Sequence, residues 1–232
     1  MKISIIGGTG KFGSGLVFQW AKQHDIIIGS RSLEKAEKVA EQFRTEAFNL
    51  FKQDFKGTIT GKQNMDAVVG SDIIILSIPY ESITDICRAL KPSIKEDQII
   101  VSPIVPMQKT EKSWEYIPPI YIESSSRCVR LISAAEMVAN ELQPAGRVLS
   151  ALHTVPAKKL KLHGKIIDVD ALICGDDTAI VDKFAKVVSE IPGVRPVYVG
   201  PLHTSLLVES TTPMILNIAM YGGIKEPSVK IL

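Results

Sequence analysis

MKISIIGGTGKFG, residues 1–13, is the stretch that decides the fold of this chain. A short apolar run is followed at once by glycines in the spacing Gly8-x-Gly10-x-x-Gly13, and the next residues have a helical pattern. In a strand–turn–helix unit, these glycines allow a tight turn, close approach of the backbone to a pyrophosphate, and close packing of the helix on the strand. The N-terminus of the helix adds free N–H groups and a partial positive charge. The sequence therefore predicts a dinucleotide site.

The end of the second predicted strand indicates which dinucleotide binds. An NAD site usually has an acidic residue about 20 residues after the glycines, whereas this chain has Ser30 and Arg31 there. A guanidinium binds a 2′-phosphate through two charge-assisted hydrogen bonds, which favours NADP. Lys35 falls in the first turn of the next helix, where a cation opposes the helix dipole unless an anion is bound nearby. The alternative for Lys35 is a solvated side chain or a pair with Glu34.

Composition narrows the class of protein. The 232 residues are 45% hydrophobic and 22% charged with a net charge of +2, which is typical of a globular protein and gives no general case for nucleic acid or an acidic membrane surface. The cysteines Cys87, Cys128 and Cys174 are far apart and form no CxxC pair, so we expect a reducing compartment and no metal site. We see neither a membrane span nor a signal peptide, and we expect a cytoplasmic protein.

Strands alternate with helices along the chain, which predicts an α/β fold with a Rossmann-type, doubly wound and mostly parallel sheet. In such sheets ligands bind outside the carboxyl ends of the strands. Those ends are predicted at residues 7–12, 30–31, 77–80 and 102–106. Residues 107–130 are polar and irregular, typical of either a mobile flap or a surface insertion. The apolar C-terminal helix around residues 213–220 fits a dimer contact or a buried core helix equally well.

Short sequence blocks spread almost from end to end carry a resemblance to a known family. They include Gly7-Gly8-Thr9-Gly10, Gly29-Ser30-Arg31, Ser77-Ile78-Pro79, Val101-Ser102-Pro103, Ser133-Ala134-Ala135-Glu136, Ser150-Ala151-Leu152-His153-Thr154, Cys174-Gly175-Asp176-Asp177, Gly200-Pro201-Leu202, Leu207-Val208-Glu209-Ser210 and Leu216-Asn217-Ile218. This set resembles the NADPH-dependent reductases of coenzyme F420, a 5-deazaflavin. Two stretches, Phe48–Phe55 and Lys109–Arg130, depart from the family pattern.

The resemblance implies an organisation and a set of binding residues. Residues 1–155 would form the NADP-binding Rossmann domain, and residues 156–232 a small C-terminal α/β domain that closes the coenzyme cleft. The implied cofactor-binding residues are Thr9, Gly10, Lys11 and Phe12 at the pyrophosphate, with Gly8 and Gly13 in the same glycine turn, then Ser30, Arg31 and Lys35 at the 2′-phosphate, and Ile78, Val105 and Ala157 at the nicotinamide. The deazaflavin would stack on the nicotinamide, near residues 153–157 and the C-terminal segment.

The implied activity is reversible hydride transfer between NADP(H) and coenzyme F420. Such a step needs little from side chains, since both coenzymes carry their own chemistry and the protein must hold the rings about 3–3.5 Å apart with water excluded. His153 is the one candidate catalytic residue, as a hydrogen-bond donor to the deazaflavin; the alternative is a structural histidine at a strand end. Glu209 is interpreted as a helix-end or dimer contact, and Asp176-Asp177 as a helix start.

Other functions stay open on the sequence alone. One is another NADPH-dependent reductase on the same scaffold, acting on a flavin, imine or ketone. Another is a non-enzymatic NADP(H) sensor. A ketone reductase should show a proton donor such as a Tyr/Lys pair, and none stands out. Against the sensor, small residues favour an open face beside the nicotinamide, although they also allow close helix packing: Ala134, Ala135, Ala151 and Ala157. We expect small-molecule coenzymes as partners, no nucleic acid, no membrane, and a possible homodimer.

Overall fold

The computed structural model describes residues 1–122, 129–143, 147–162 and 166–232. The strands are β1 (Lys2–Ile6), β2 (Asp25–Ser30), β3 (Ile59–Gln63), β4 (Ile73–Leu76), β5 (Ile99–Ser102), β6 (Met107–Lys109), β7 (Trp114–Tyr116), β8 (Ile120–Ile122), β9 (Val129–Leu131), β10 (Arg147–Ala151), β11 (Val169–Cys174) and β12 (Val194–Gly200). The α-helices are α1 (Lys11–Trp20), α2 (Leu33–Phe51), α3 (Asn64–Val68), α4 (Ile83–Leu90), α5 (Ala134–Leu142), α6 (Ala157–Leu160), α7 (Thr178–Val188) and α8 (Ser205–Tyr221).

Eight strands form one central sheet in the order β12-β11-β10-β5-β4-β1-β2-β3. The six strands from β3 to β10 run parallel to one another. Strand β11 then runs antiparallel to β10, and β12 runs parallel to β11. The parallel part has the Rossmann strand order, with the first strand at the centre. The predicted fold class, a mostly parallel doubly wound α/β sheet, is confirmed.

The core lies on both faces of this sheet because successive side chains of a strand point to opposite faces. On β1, Ile3 and Ile5 pack in one buried cluster with α1, α2 and α7, whereas Ile6 packs in the other with α3, α4 and α5. Central strands buried on both faces require nearly continuous apolar runs, which is what β1, β2 and β4 carry. Each fully buried Ile contributes roughly 1.5–3 kcal/mol to stability.

The first cluster joins the beginning of the chain to its last third. Trp20 at the end of α1 is fully buried, and its ring lies 6.4 Å from that of Phe184 on α7 in an edge-to-face arrangement. The Trp20 indole N–H donates to the carbonyl of Val187, 167 residues later, at 3.0 Å. The buried indole therefore has its hydrogen bond satisfied, and α1 and α7 are tied together under the sheet.

Residues 107–122 and 129–130 are more regular than the sequence indicated. They contribute to two short antiparallel hairpins, β6–β7 and β8–β9. Strands of three residues are too short to show an alternating pattern, so only the polarity of this stretch is visible in the sequence. A distant partner holds the first hairpin: the backbone N–H of Trp114 donates to Asn217 Oδ1, and Asn217 Nδ2 donates back to the Trp114 carbonyl, both at 2.8 Å.

Helix α8 is half buried, so it is in part a core helix, and the dimer contact stays a prediction. Val208 and Pro213 are buried, whereas Leu207, Met214 and Tyr221 are at least half exposed. Within the described ranges, no helix has both the length and the apolar character that crossing a membrane would require. Strands β11 and β12 follow the predicted domain boundary at residues 155/156 and extend the same sheet, and the division into two domains stays a prediction.

Candidate active site

The turn between β1 and α1 requires glycine at position 7, and the start of α1 requires it at position 13. Gly7 has φ +80°, and a Cβ atom at this position would lie 2.1 Å from the carbonyl oxygen of Ser77. A Cβ at Gly13 would lie 2.8 Å from the Cα of Gly8. Gly10 precedes α1, whose N-terminus has no capping side chain and no acidic residue in its first turn. The turn therefore leaves a tight, uncapped and electropositive helix end that fits a pyrophosphate.

The end of β2 presents two cations to solvent. Arg31 and Lys35 are exposed, and neither forms an ion pair with any residue in the described ranges. The Lys35 backbone N–H donates to Ser32 Oγ, which caps α2, and the Ser32 N–H donates to Ser30 Oγ, both at 3.3 Å. Lys35 thus does not pair with Glu34, and the two cations are available for a phosphate group.

A cleft of about 600 Å³ opens at the carboxyl edge of the parallel strands. Five of the predicted site residues line it together, although they come from four separate segments: Phe12, Ile78, Val105, His153 and Ala157. The other predicted residues lie on the glycine turn and at the end of β2, outside this lining. The walls are mostly apolar, as expected for a site that must exclude water from a hydride transfer.

Helix α8 and the segment after it form a wall of the cleft, and the individual residues of this wall were not predicted from the sequence. One face of α8 lines the cleft, with the spacing i, i+3, i+4, i+7. Its residues are Thr212, Ile215, Leu216 and Ala219. That spacing was the available signal, but it is equally typical of a core helix. Tyr80, Met107, Glu226 and Pro227 also line the cleft, and no local motif marks them.

His153 lies in the floor of the cleft with an unusual environment. It is 8% exposed, and neither ring nitrogen meets hydrogen-bond geometry with any described group. Burial lowers its pKa to about 4, and an interaction with the backbone of Ile104 opposes this fall. The preceding residue, Leu152, has φ +72°, a strained conformation for a residue with a side chain. His153 is therefore a neutral imidazole at pH 7, and both of its ring nitrogens are buried.

Two threonines fix the backbone around His153. The Thr212 hydroxyl donates to the carbonyl of His153 at 3.0 Å, which ties the cleft floor to α8. The Thr154 hydroxyl donates to the carbonyl of Asp170 at 2.5 Å, which ties it to β11. The strained turn at Leu152 is thus held from both sides.

Glu209 holds the α8 wall in place from inside the protein. Its buried carboxylate accepts hydrogen bonds from the backbone N–H groups of Ala134 at 2.9 Å and Ala135 at 3.0 Å, and from the hydroxyl of Tyr116 at 2.9 Å. Burial raises the pKa of Glu209 to about 7, although these donors pull it down. Glu209 does contact a helix end, but it is the N-terminus of α5 and not an end of its own helix. The predicted helix start is confirmed separately, since Asp177 caps α7.

Thiols and acidic clusters supply no further chemistry in the part of the chain that is described. Cys87 and Cys174 are free and buried, and burial raises both thiol pKa values. Cys128 lies outside the described residues. Among the residues described, no group of three or more His, Cys, Asp or Glu side chains is arranged to hold a metal ion.

Comparisons with known proteins agree with this geometry. The family profile described as NADP oxidoreductase, coenzyme F420-dependent, matches residues 2–106. The F420-dependent NADP reductase of Methanocaldococcus jannaschii is 33% identical over 237 aligned positions that cover 100% of this chain and 98% of that protein. The enzyme of the same name from Methanothermobacter thermautotrophicus is 28% identical, with 100% and 94% covered.

The fold is shared with a crystal structure from Arthrobacter sp. FB24 that is provisionally described as an F420-dependent NADP reductase. The two chains superpose with a TM-score of 0.77 at 18% identity, covering 100% of this chain and 99% of the other. At this identity the likeness establishes the fold alone, so the assignment to a family comes from the sequence relatives.

Proposed function

The chain belongs to the family of F420-dependent NADP reductases, and we propose from this premise that it transfers a hydride reversibly between NADP(H) and coenzyme F420. The observation that carries the proposal is the apolar cleft of about 600 Å³ beside the glycine turn. A nucleotide sensor would need no such space beyond its own ligand. The cleft also contains no ion pair or acid–base dyad among its described residues, which suits a reaction whose chemistry comes from the coenzymes.

NADP would bind across the carboxyl ends of β1, β2 and β4. The pyrophosphate would bind at the N-terminus of α1, in the turn formed by Gly8, Thr9, Gly10, Lys11, Phe12 and Gly13. Ser30, Arg31 and Lys35 would hold the 2′-phosphate, which supplies the counter-charge that the two free cations lack. Ile78, Val105 and Ala157 would line the nicotinamide. These assignments follow from the fit of the glycine turn and the cations to an anionic dinucleotide.

The bound coenzyme pair would supply the hydride donor and acceptor. The protein's own residues would orient the two rings, exclude water from the cleft and offer one hydrogen-bond donor. Phe12, Ile78 and Val105 present apolar surface that excludes water from the cleft. The Thr212 hydroxyl fixes the backbone at His153. His153, neutral at pH 7, would turn its buried ring toward the cleft and offer one N–H to the polar edge of the deazaflavin. A neutral donor stabilises developing negative charge less than an imidazolium would, so we expect a modest contribution.

A direct assay tests the proposal. Purified protein is mixed with oxidised coenzyme F420 and either NADPH or NADH, and the deazaflavin absorbance is followed. We expect rapid bleaching with NADPH and at least tenfold slower bleaching with NADH. Tight binding of NADPH without any bleaching would refute the reductase while leaving the nucleotide site in place.

Three further expectations, on location, domain organisation and oligomeric state, belong to the same proposal. The chain would act in the cytoplasm, and residues 156–232 would form the smaller unit that completes the cleft opposite the NADP domain. A homodimer would cover the exposed side chains of α8, where Leu207 is 66% and Tyr221 is 67% exposed. Sedimentation of the wild type and of Leu207→Asp tests the dimer: we expect the substitution to lower the molecular mass by half, and a monomeric wild type would refute it.

A further inference from the structure

After α8 the chain turns back across the mouth of the cleft. We call residues 222–232 the C-terminal strap. The turn uses Gly223, which has φ +64° and space around it. Glu226 and Pro227, in the middle of the strap, line the cleft. No hydrogen bond joins residues 224–228 to the rest of the described chain, so the position of this wall depends on how the two ends of the strap are anchored.

The far end of the strap is anchored on an ion pair between the buried Asp170 and the half-exposed Arg195. Asp170 on β11 is fully buried, and its carboxylate accepts from Arg195 Nε at 2.8 Å and Nη2 at 2.6 Å. The same carboxylate accepts from the backbone N–H of Ile231 at 2.6 Å. The Asp170 N–H donates to the Val229 carbonyl at 3.0 Å, and Arg195 donates to the Ile231 carbonyl. Both members of the pair therefore bind the strap.

The anchor also contacts the floor of the cleft. The carbonyl of Asp170 accepts the hydroxyl of Thr154, the residue after His153. A fully buried carboxylate is costly unless it is paired and hydrogen-bonded, and here the strap supplies one of the required donors. One residue thus joins the strap to the segment that holds His153.

We infer that the Asp170–Arg195 pair is a positioning device for the reaction, which holds the strap closed so that Glu226 and Pro227 wall the deazaflavin side of the cleft. The inference rests on the proposed function. The glycine turn and the end of β2 make none of the strap's anchoring contacts. Loosening the strap should therefore weaken deazaflavin binding and leave NADPH binding intact.

The first test removes the anchored end of the strap, together with the exposed Lys230–Asp168 ion pair, and keeps both side chains of the Asp170–Arg195 pair. A chain lacking residues 229–232 keeps Asp170, Arg195 and the strap residues Glu226 and Pro227. We expect the KM for the deazaflavin, and its Kd measured directly by titration, to rise about tenfold. The Kd for NADPH, measured by fluorescence, should stay within twofold. The control is Lys22→Ala, which removes an exposed ion pair with Asp54 and should change neither constant.

A full-length variant covers the case in which the shortened chain does not fold. Arg195→Lys keeps the charge but removes the planar fork that contacts both Asp170 oxygens. We expect about a threefold rise in deazaflavin KM together with faster hydrogen–deuterium exchange at residues 229–231, which a merely structural role elsewhere would not produce.

The outcomes separate the two proposals. An unchanged deazaflavin KM in a folded variant whose strap exchanges faster would overturn the positioning role and leave the reductase standing. A parallel rise in the Kd for NADPH would also overturn it, since the pair would then support the whole fold. A wild type that neither binds nor reduces the deazaflavin would refute the proposed function and this inference with it.

Discussion

The two sides of the cleft are built in opposite ways. The proposed sites for the NADP phosphates lie within residues 7–35, one contiguous segment, and rely on backbone shape and two exposed cations. The opposite side is assembled from segments between residues 105 and 227, and buried polar groups such as Glu209 and Asp170 hold it in place. Local geometry therefore sets the first side, whereas the second depends on tertiary contacts. Substitutions on the first side should change the geometry of the turn and the charge. Substitutions on the second side should change the pH dependence of stability and the rate of catalysis.

The largest effect is expected from Gly7→Ala on the NADP side. The new Cβ would meet a backbone oxygen at 2.1 Å in a positive-φ conformation. Strain of about 1–3 kcal/mol and overpacking of about 1–3 kcal/mol should together lower the free energy of unfolding by about 4 kcal/mol. Denaturant unfolding measures this change, and NADPH affinity should be lost in parallel.

Gly70→Ala is the matched control for that substitution. Gly70 has φ +70°, but a Cβ atom added there would have nothing within 4 Å, so only the backbone strain remains. We expect a loss of about 1 kcal/mol and unchanged NADPH binding. Equal losses in the two variants would show that the contact with Ser77 does not make the turn special.

The next effect concerns Glu209 and the pH dependence of stability. Its pKa is about 7 in the folded protein against a reference value of 4.5, so the folded state retains a proton that the unfolded state releases first. The stabilisation is therefore complete below about pH 4.5 and is lost as the pH rises to about 7. The loss should amount to roughly 3 kcal/mol, and unfolding curves across this pH range should show it.

Glu209→Gln should abolish this pH dependence, and Glu41→Gln on the exposed face of α2 serves as the control. His153 acts with the opposite sign, because its lowered pKa makes stability rise between about pH 4 and 6.5. The difference between wild type and Glu209→Gln isolates the carboxyl group. Identical profiles for the two proteins would contradict a perturbed Glu209.

Charge removal at the NADP side should have a somewhat smaller effect. In Arg31→Leu/Lys35→Ala, the affinity for NADPH should fall about 100-fold, or roughly 2.7 kcal/mol, while the weak affinity for NADH stays the same. Isothermal titration with both nucleotides measures the ratio. Lys38→Ala, an exposed cation further along the same helix, is the control. An equal loss of affinity for NADPH and NADH would show that Arg31 and Lys35 do not bind the 2′-phosphate.

The smallest effect is expected at His153. His153→Phe keeps an aromatic ring in the cleft floor but removes the N–H donor. We expect kcat to fall about tenfold, equivalent to roughly 1.4 kcal/mol, with NADPH affinity unchanged. Because the pKa of His153 is about 4, kcat should show no inflection from this group between pH 6 and 8. An unchanged kcat in His153→Phe would show that His153 has a structural role and no catalytic one.

The contrast between the two sides also explains what the sequence could predict. Glycine spacing, continuous apolar strands and the Ser30-Arg31 pair are local signals, so the sheet and the candidate NADP residues could be predicted without a structure. The hairpins β6–β7 and β8–β9 could not, because three-residue strands carry no periodicity and Asn217 supports the first from 103 residues away. Glu209 could not be placed either, since its partners Ala134, Ala135 and Tyr116 become neighbours only after folding.

The hydrogen bond between Trp20 and Val187 has a consequence for the kinetics of folding. It joins residues 167 positions apart, and contacts of such separation carry a high loop-closure entropy and tend to slow folding. The glycine turn, by contrast, is closed by local hydrogen bonds from the Gly8 N–H to the Ile5 carbonyl and from the Gly10 N–H to the Gly7 carbonyl. In a chain whose other tryptophan, Trp114, is replaced by Phe, the Trp20 indole is thus a fluorescent reporter for the association of the first and last thirds of the chain. The nucleotide turn should gain its shape before that signal appears, and the complete cleft only after it.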